Sequence, residues 1–171
     1  MSLTPNEIVD MVQQGRSLEE ARLDGVDLRG LDLSGAKLAR ATLMNVKLQG
    51  ANLSGSQLTD ATVMSCALDA ANLNDSDLSG AAFASCGLEG VACQRAKLAG
   101  TRIVESQLGS VDLSSAELSG TVMIHSQLTG ARFAGSELTD VMLDESSLEG
   151  ADFSAAKLTN CLLYTSPSPR D

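Results

Sequence analysis

The sequence repeats with a period of five residues along almost its whole length. From Leu18 onward every fifth residue is apolar, and 22 of the 29 such positions between 23 and 163 are leucine. The other seven are Val63, Phe83, Cys93, Ile103, Met123, Phe133 and Phe153. A five-residue step advances an α-helix by about 500°, so these side chains would spiral around a helix instead of forming one stripe. The period therefore excludes a helical repeat.

Within each unit a second small side chain stands two positions before the central residue, as at Ala21 and Val26. A mostly polar residue such as Asp27 separates the two. This inward–outward–inward alternation is typical of a short β-strand. The last two residues of the unit must then turn the chain, and glycine often closes it, as at Gly25 and Gly30. The unit is interpreted as one straight side and one corner of a coil.

Longer periods in the sequence predict the number of sides. All seven non-leucine central residues lie at positions ending in 3, which indicates that neighbouring sides differ and that their number is even. In one series of positions spaced 20 residues apart, the residue that follows the central one is apolar. In the series that lies ten residues further along, the same position holds polar residues such as Ser34 and Ser54. Four units therefore form one coil. Seven coils, spaced by about 4.8 Å like neighbouring strands, form a rod about 35 Å long.

Units such as ANLSG, SDLSG and ADFSA resemble the pentapeptide repeat family, and the resemblance covers residues 16 to about 160. It implies an all-β fold, the right-handed quadrilateral β-helix. Some members of that family imitate DNA and inhibit DNA gyrase, and so confer quinolone resistance.

The ends of the chain differ from the repeat region at 16–160. Residues 1–15 predict a short capping helix, with Thr4 as N-cap, Pro5 in the first turn and Glu7 completing a capping box. The helix is expected to cover the first coil with three apolar side chains, Ile8, Met11 and Val12.

Residues 161–171 read CLLYTSPSPRD, which can be encoded by the transposase adapter used in short-read library preparation. We interpret this segment as a non-native tail. On this interpretation the authentic sequence ends near Asn160, and the natural C-terminal cap or domain is missing from the printed sequence.

Composition argues against several functional classes. The formal net charge is -10 and the basic residues are scattered singly, so we expect no direct nucleic-acid binding. The four cysteines form no C-x-x-C pair and there is one histidine, so we expect no metal site and no cofactor. No stretch approaches the length of a membrane span, and no signal peptide is recognised, which favours the cytoplasm of a bacterium.

Catalytic constellations are not recognised either. His125 has no second histidine to support a serine or cysteine nucleophile, so we predict no enzymatic activity and no small-molecule substrate. Cys66 and Cys86 share one inward position in adjacent coils, where a disulfide is sterically conceivable, but buried free thiols are the preferred interpretation. The outward carboxylates at Asp32 and Asp112 are interpreted as a solvated face.

One outward series stands out because it is apolar. It consists of Met44, Met64, Ala84, Val104 and Ile124, accompanied by Val122 and Met142. We call these seven residues the apolar strip. Stacked in successive coils, they are predicted to form a continuous surface, and such surfaces often mark contacts with a protein partner or a second copy.

Three functions remain open from the sequence. The first is a protein-interaction or scaffold rod that uses the apolar strip. The second is a DNA-mimicking inhibitor of DNA gyrase, as in the quinolone-resistance relatives. The third is a fragment whose active domain follows the repeats.

Overall fold

The computed structural model describes residues 3–164, which form one short helix followed by a parallel β-solenoid of about seven turns. The helix is α1 (Pro5–Gln13). The strands are β1 (Arg22–Asp24), β2 (Thr42–Met44), β3 (Thr62–Met64), β4 (Ala82–Ala84), β5 (Arg102–Val104), β6 (Val122–Ile124), β7 (Glu137–Thr139), β8 (Met142–Asp144), β9 (Lys157–Thr159) and β10 (Leu162–Tyr164). The predicted quadrilateral β-helix is confirmed.

Each coil contains 20 residues, because every pairing joins a residue to the one 20 positions later. On one side, β1, β2, β3, β4, β5, β6, β8 and β10 form a continuous parallel sheet in that order. We call this side the strand face. The other three sides pair mostly through single bridges, such as Asp27 with Lys47 and Asp32 with Asn52, and only β7 with β9 forms a second ladder. The four sides are therefore less alike than the five-residue period suggests.

The core is a narrow column of leucine with small side chains between. Central residues such as Leu28 and Leu73 are 1 % exposed, and the small residues Ala41 and Ala81 are fully buried. Two apolar cavities inside the column measure only about 20 and 10 Å³, which is little more than the space that one water molecule needs. The rings of Phe133 and Phe153 stack at 4.7 Å near the last coil. Cavities of this size are too small for an organic ligand.

The corners have a left-handed backbone throughout. Every fifth residue from 20 to 160 has a φ angle between +47° and +70°, and 17 of these residues are not glycine. Ala70 and Glu105 are examples, with φ of 55° and 51°. The corner geometry of the coil thus imposes this conformation, whichever residue the sequence supplies.

Helix α1 has the predicted start and covers the first coil. The Thr4 hydroxyl accepts a hydrogen bond from the Glu7 N–H, and the Glu7 carboxylate accepts one from the Thr4 N–H at 2.8 Å. Ile8 is 1 % exposed, and Met11 and Val12 are half-buried against the same core. All three apolar side chains therefore pack as the sequence predicts.

At the other end the chain continues into the segment interpreted as a tail. Strand β10 pairs in parallel with β8, and Cys161 is half-buried against the core. Leu158, Leu162 and Leu163 are 41–46 % exposed. Residues 165–171 lie outside the described part of the chain, so the interpretation of 161–171 as non-native stays a hypothesis.

None of the helices described in residues 3–164 combines the length and apolar character needed to cross a membrane.

Candidate interaction surface

The strand face carries two outward rows, because the side chains on either side of each buried central residue point away from the core. The first row follows the central residue and contains Asp24, Met44, Met64, Ala84, Val104, Ile124, Asp144 and Tyr164, each in register with the next. The second row precedes the central residue and contains Arg22, Thr42, Thr62, Ala82, Arg102, Val122, Met142 and Leu162.

The structure places five residues of the apolar strip in the first row. Met44, Met64, Ala84, Val104 and Ile124 stand on five successive strands. Met64 is 42 % exposed, whereas the other four are half-buried between their neighbours. The strip is thus flatter than a row of free side chains, since each residue packs partly against the coils above and below.

Val122 and Met142 belong to the second row instead. They are in register with each other on β6 and β8, and Leu162 continues the row on β10. Arg102 separates them from the alanine and threonine residues of the earlier coils. The apolar strip therefore runs along the first row and steps across to the second near the C-terminal coils. Leu162 was missed by the sequence analysis because it lies in the segment assigned to the tail.

Carboxylates border the apolar strip at both ends and along one side. Asp24 and Asp144 lie on either side of the five apolar residues in the first row, and Glu105 and Glu145 occupy corners beside it. We call these four residues the acidic rim. Glu145 lies 3.0 Å from Nδ1 of His125, and Asp24 accepts a hydrogen bond from the Asn45 amide. Within residues 3–164, Asp24, Glu105 and Asp144 have no cationic group within 4.0 Å.

The other faces mix charges of both signs between coils. Arg40 pairs with Glu20 at 3.0 Å, Arg95 with Asp75 at 2.7 Å and Lys157 with Glu137 at 2.8 Å, and each pair is separated by one coil. The hydrogen bond from Arg95 lowers the pKa of Asp75, and the one from Lys157 lowers the pKa of Glu137. These pairs leave no uninterrupted acidic row on those faces.

One polar face contains a ladder of amides. The Asn52 side chain donates to Asp32 at 3.0 Å, and the Asn72 side chain donates to Asn52 at 3.2 Å. Hydrogen bonds from Ser34 lower the pKa of Asp32. The face carrying Asp32 and Asp112 is satisfied within the chain, which agrees with its interpretation as a solvated surface.

The groups considered for catalysis are separated or buried. Cys66, Cys86 and Cys93 are free thiols inside the core. Burial raises the pKa of Cys66 to about 11 and that of Cys93 to about 12, so neither ionises readily to a nucleophilic thiolate. His125 lies at a corner beside an open depression of about 560 Å³, and the Ser126 hydroxyl nearby donates to the carbonyl of Ile124. At this corner His125 is paired with the carboxylate of Glu145.

Metal ligands are likewise dispersed. Across the described chain, no three histidine, cysteine, aspartate or glutamate side chains come close enough together to hold a metal ion.

A family model of pentapeptide repeats matches eight copies in this chain, over residues 21–60 and 123–160. The chain belongs to the pentapeptide repeat family. Family membership agrees with the square coil of four units and with the buried leucine at the centre of each unit.

Among solved structures, the protein is similar to HetL, a pentapeptide repeat protein involved in heterocyst differentiation regulation in the cyanobacterium Nostoc sp. strain PCC 7120. The two are 19 % identical, with a TM-score of 0.48, covering 95 % of this chain and 94 % of HetL. A trypsin-treated form of QnrB1, a plasmid-mediated fluoroquinolone resistance protein, is 26 % identical, with a TM-score of 0.48 and coverage of 88 % and 76 %. A pentapeptide repeat protein from the Arabidopsis thaliana thylakoid lumen is 30 % identical, with a TM-score of 0.45 and coverage of 68 % and 70 %. No curated protein matches the chain.

One internal feature of this pentapeptide repeat protein escaped the sequence analysis. At the corner where the chain leaves the strand face, the backbone N–H of the next inward-pointing residue is not hydrogen-bonded to a carbonyl of its own turn. The N–H of Cys86 donates instead to Oγ of Ser106 at 3.1 Å, and that of Ser126 donates to Oγ of Ser146 at 3.2 Å. At the equivalent point of another side, Ala51 N–H bonds within its turn to Leu48 O at 2.9 Å.

We call this inward row of side chains the thiol–hydroxyl ladder, and it consists of Cys66, Cys86, Ser106, Ser126 and Ser146. The signal for it was present in the sequence, because these positions repeat every 20 residues and lack the alanine that is common in the other small inward positions.

Proposed function

We propose that this protein is a non-enzymatic pentapeptide repeat rod that binds another protein through the apolar strip. The observation that carries the proposal is the row of five apolar side chains standing in register on the strand face, where the other faces present mostly polar groups. The repeats supply a rigid shape and the apolar strip supplies affinity.

Physical chemistry supports a contact role for this surface. Association removes apolar area from water, and each square ångström buried contributes about 25 cal/mol. The side chains of the apolar strip already lie at the surface, and the strands that carry them hold them at fixed positions. Binding therefore requires no side chain to leave the core. A partner therefore meets an ordered surface and loses little conformational freedom of the rod on binding.

The gyrase-inhibitor alternative receives less support from the surface. Imitation of DNA requires rows of negative charge at phosphate spacing. Here Arg95 and Lys157 pair with carboxylates of the preceding coil, and Lys97 stands in the same outward row as Asp77. A partner protein bound through apolar contact accounts for more of what is particular to this chain.

The proposal is tested with the double variant Met64→Lys and Val104→Lys. Both side chains lie outside the core, so the fold is expected to survive while the contact is lost. Thr59→Lys with Ala99→Lys is the matched control, since it adds the same charge on a neighbouring face of the same coils. Sedimentation measures self-association, and photo-crosslinking from position 84 in the strip or from position 79 on the neighbouring face measures contact with partners in a cell lysate.

We expect a discrete association or crosslinked product at position 84 that the strip variant removes and the control retains. A wild-type chain that stays monomeric at high concentration and gives no discrete product at position 84 would contradict the proposed function.

A further inference from the structure

We propose that the partner segment that binds the apolar strip is a basic amphipathic α-helix lying along the rod. This inference rests on the proposed function and adds the chemistry of the partner. It combines the dimensions of the apolar strip, the small residues at its centre and the charge around it.

The dimensions fit one helix. Met44 and Ile124 are separated by four coil steps, which is about 19 Å at 4.8 Å per step. An α-helix covers this distance with about 13 residues. In that part the strip is one residue wide and is bordered by polar or small side chains, such as Thr62 and Ser65. A helix with apolar residues at successive third and fourth positions presents a stripe of the same shape.

The side chains at the centre of the apolar strip are shorter than those on either side of it. Ala82 and Ala84 occupy both outward positions of β4, between Met64 on β3 and Val104 on β5. Two alanines flanked by larger side chains leave a shallow depression in the surface. A large apolar side chain near the middle of the helix can occupy it, which fixes the position of the helix along the rod.

The charge around the strip favours a basic partner over a second copy. The acidic rim places carboxylates at both ends and along one side, and the whole chain carries a formal net charge of -10. In an antiparallel pair of rods centred on Ala84, Asp24 of one copy would face Asp144 of the other. A helix with lysine or arginine beside its apolar stripe meets these carboxylates with opposite charge.

The area of the apolar strip also disfavours a stable homodimer. Six coils of about 4.8 Å and a sheet about 10 Å wide offer roughly 290 Å². A stable protein interface buries about 800 Å² on each partner. A contact of this size suits a weak, reversible interaction with a short segment.

Arg102 sets the orientation of the helix. Its side chain is exposed in the second row, on the side of the strip away from Glu105. The basic residues of the helix therefore face the corner that carries Glu105 and Glu145, and the side facing Arg102 is neutral or acidic.

The test uses synthetic peptides of 18 residues and the full chain. The probe peptide has leucines at helical third and fourth positions, with lysines along one flank and at both ends. The comparison peptide has glutamate in place of each lysine. Fluorescence anisotropy measures the affinity of each peptide at low and at high salt. We expect micromolar binding of the basic peptide that weakens as salt rises, and at least 10-fold weaker binding of the acidic peptide.

Two sets of variants separate this inference from the proposed function. Glu105→Gln with Asp144→Asn should weaken binding of the basic peptide roughly 3- to 10-fold, since two charge pairs with the peptide are lost. Asp77→Asn with Glu117→Gln, the matched control on a neighbouring face, should change its affinity less than 2-fold. Equal binding of the acidic and basic peptides, or no effect of the rim variant, would overturn the basic helix while leaving the apolar contact intact. Binding that persists in Met64→Lys with Val104→Lys would overturn the strip itself.

Discussion

Every fifth residue between 20 and 160 has a left-handed backbone, yet 17 of these residues carry a Cβ atom. A Cβ atom in this conformation is unfavourable by about 1–2 kcal/mol. Many of the 17 have short polar side chains such as Asn45 and Asp60, which tolerate the conformation better than others. Alanine has no such compensation, so Ala70 and Ala155 are places where the local preference of the residue conflicts with the fold.

We therefore predict that Ala70→Gly stabilises the protein by roughly 1 kcal/mol. Gly50→Ala, one coil earlier in the same row, should destabilise it by a similar amount, because a Cβ atom there would meet no atom within 4 Å and only the backbone conformation is affected. Chemical denaturation of the two variants measures both changes. Effects of the same sign would show that the corner conformation is not what limits stability.

The thiol–hydroxyl ladder provides a second test at single residues. Ser106→Ala should lower the free energy of unfolding by about 1–3 kcal/mol, because it leaves the buried N–H of Cys86 without an acceptor. Ser106→Cys should lower the free energy of unfolding by less, because a thiol can also act as the acceptor: Sγ of Cys66 accepts a hydrogen bond from the Val46 N–H.

Ser56→Ala is the control for this prediction. The Ser56 hydroxyl is buried with no hydrogen-bond partner among the described residues, so its removal should be neutral or slightly stabilising. Equal losses in Ser56→Ala and Ser106→Ala, measured by urea denaturation, would contradict a role for the ladder in satisfying the backbone.

Among the elements, helix α1 depends most on sequence signals that lie close together in the chain. Its N-cap, first-turn proline and capping box are all encoded within four residues, and its packing depends mainly on Ile8. A solenoid end exposes unpaired strand edges and an open core, and a helix laid across it shields both from water.

Replacing Ile8 by alanine should destabilise the first coil by about 2–5 kcal/mol, since a fully buried aliphatic side chain is removed. Asp10→Ala, on the exposed side of α1, should have little effect. Hydrogen exchange of the amides in residues 18–38 reports the change locally. Unaltered protection in Ile8→Ala would mean that α1 does not stabilise the first coil.

The single coil is the next element, and it cannot fold alone. In each five-residue unit of a coil, burial of one leucine contributes about 1.5–3 kcal/mol, whereas ordering the backbone of the five residues costs roughly 5–10 kcal/mol. Hydrogen bonds and core contacts with the coils on either side must supply the stabilisation that is lacking. Damage to one coil should therefore spread to its neighbours.

For this reason Leu78→Asp should unfold the middle coils, because it places an unpaired carboxylate at a position that is 2 % exposed. Asp77→Ser, at the adjacent outward position, should change stability little. Thermal melting followed by circular dichroism compares the two. Comparable losses from both changes would contradict the inward and outward assignment.

At the scale of the whole molecule, the rod presents four faces with different chemistry. The strand face carries the apolar strip, while the opposite face carries the amide ladder of Asp32, Asn52 and Asn72. Acidic residues on the remaining faces are interleaved with lysine and arginine. The net charge alone is therefore a poor guide to function, because its distribution does not reproduce a nucleic-acid backbone.

We predict that the purified chain does not inhibit DNA gyrase at stoichiometric concentration. The physical reason is the pairing of carboxylates with Arg95 and Lys157, which interrupts any acidic row along the rod. A supercoiling assay with a fluoroquinolone as positive control measures this directly. Inhibition by an equimolar amount of the chain would restore the DNA-mimic interpretation.

The sequence by itself determined the repeat, the four-sided coil, the inward positions and the location of the apolar strip. It could do so because in a solenoid the contacting residues are separated by a constant number of positions in the sequence. Residues that repeat with a step of 20 are therefore also neighbours in space. The same regularity would have revealed the thiol–hydroxyl ladder at Cys66 and Ser106.

Only the tertiary structure decided how exposed the strip is and what surrounds it. The burial of Val104 and the exposure of Met64 depend on the packing of adjacent coils, which the five-residue pattern does not encode. The common row of Asp24 and Asp144 follows from their 20-residue series, but the finding that neither has a cationic group of residues 3–164 within 4.0 Å depends on where the surrounding side chains lie. Every side has an apolar central residue, so the five-residue pattern does not predict that one side forms a continuous ladder while the others pair mostly through single bridges; this difference is a property of the folded coil.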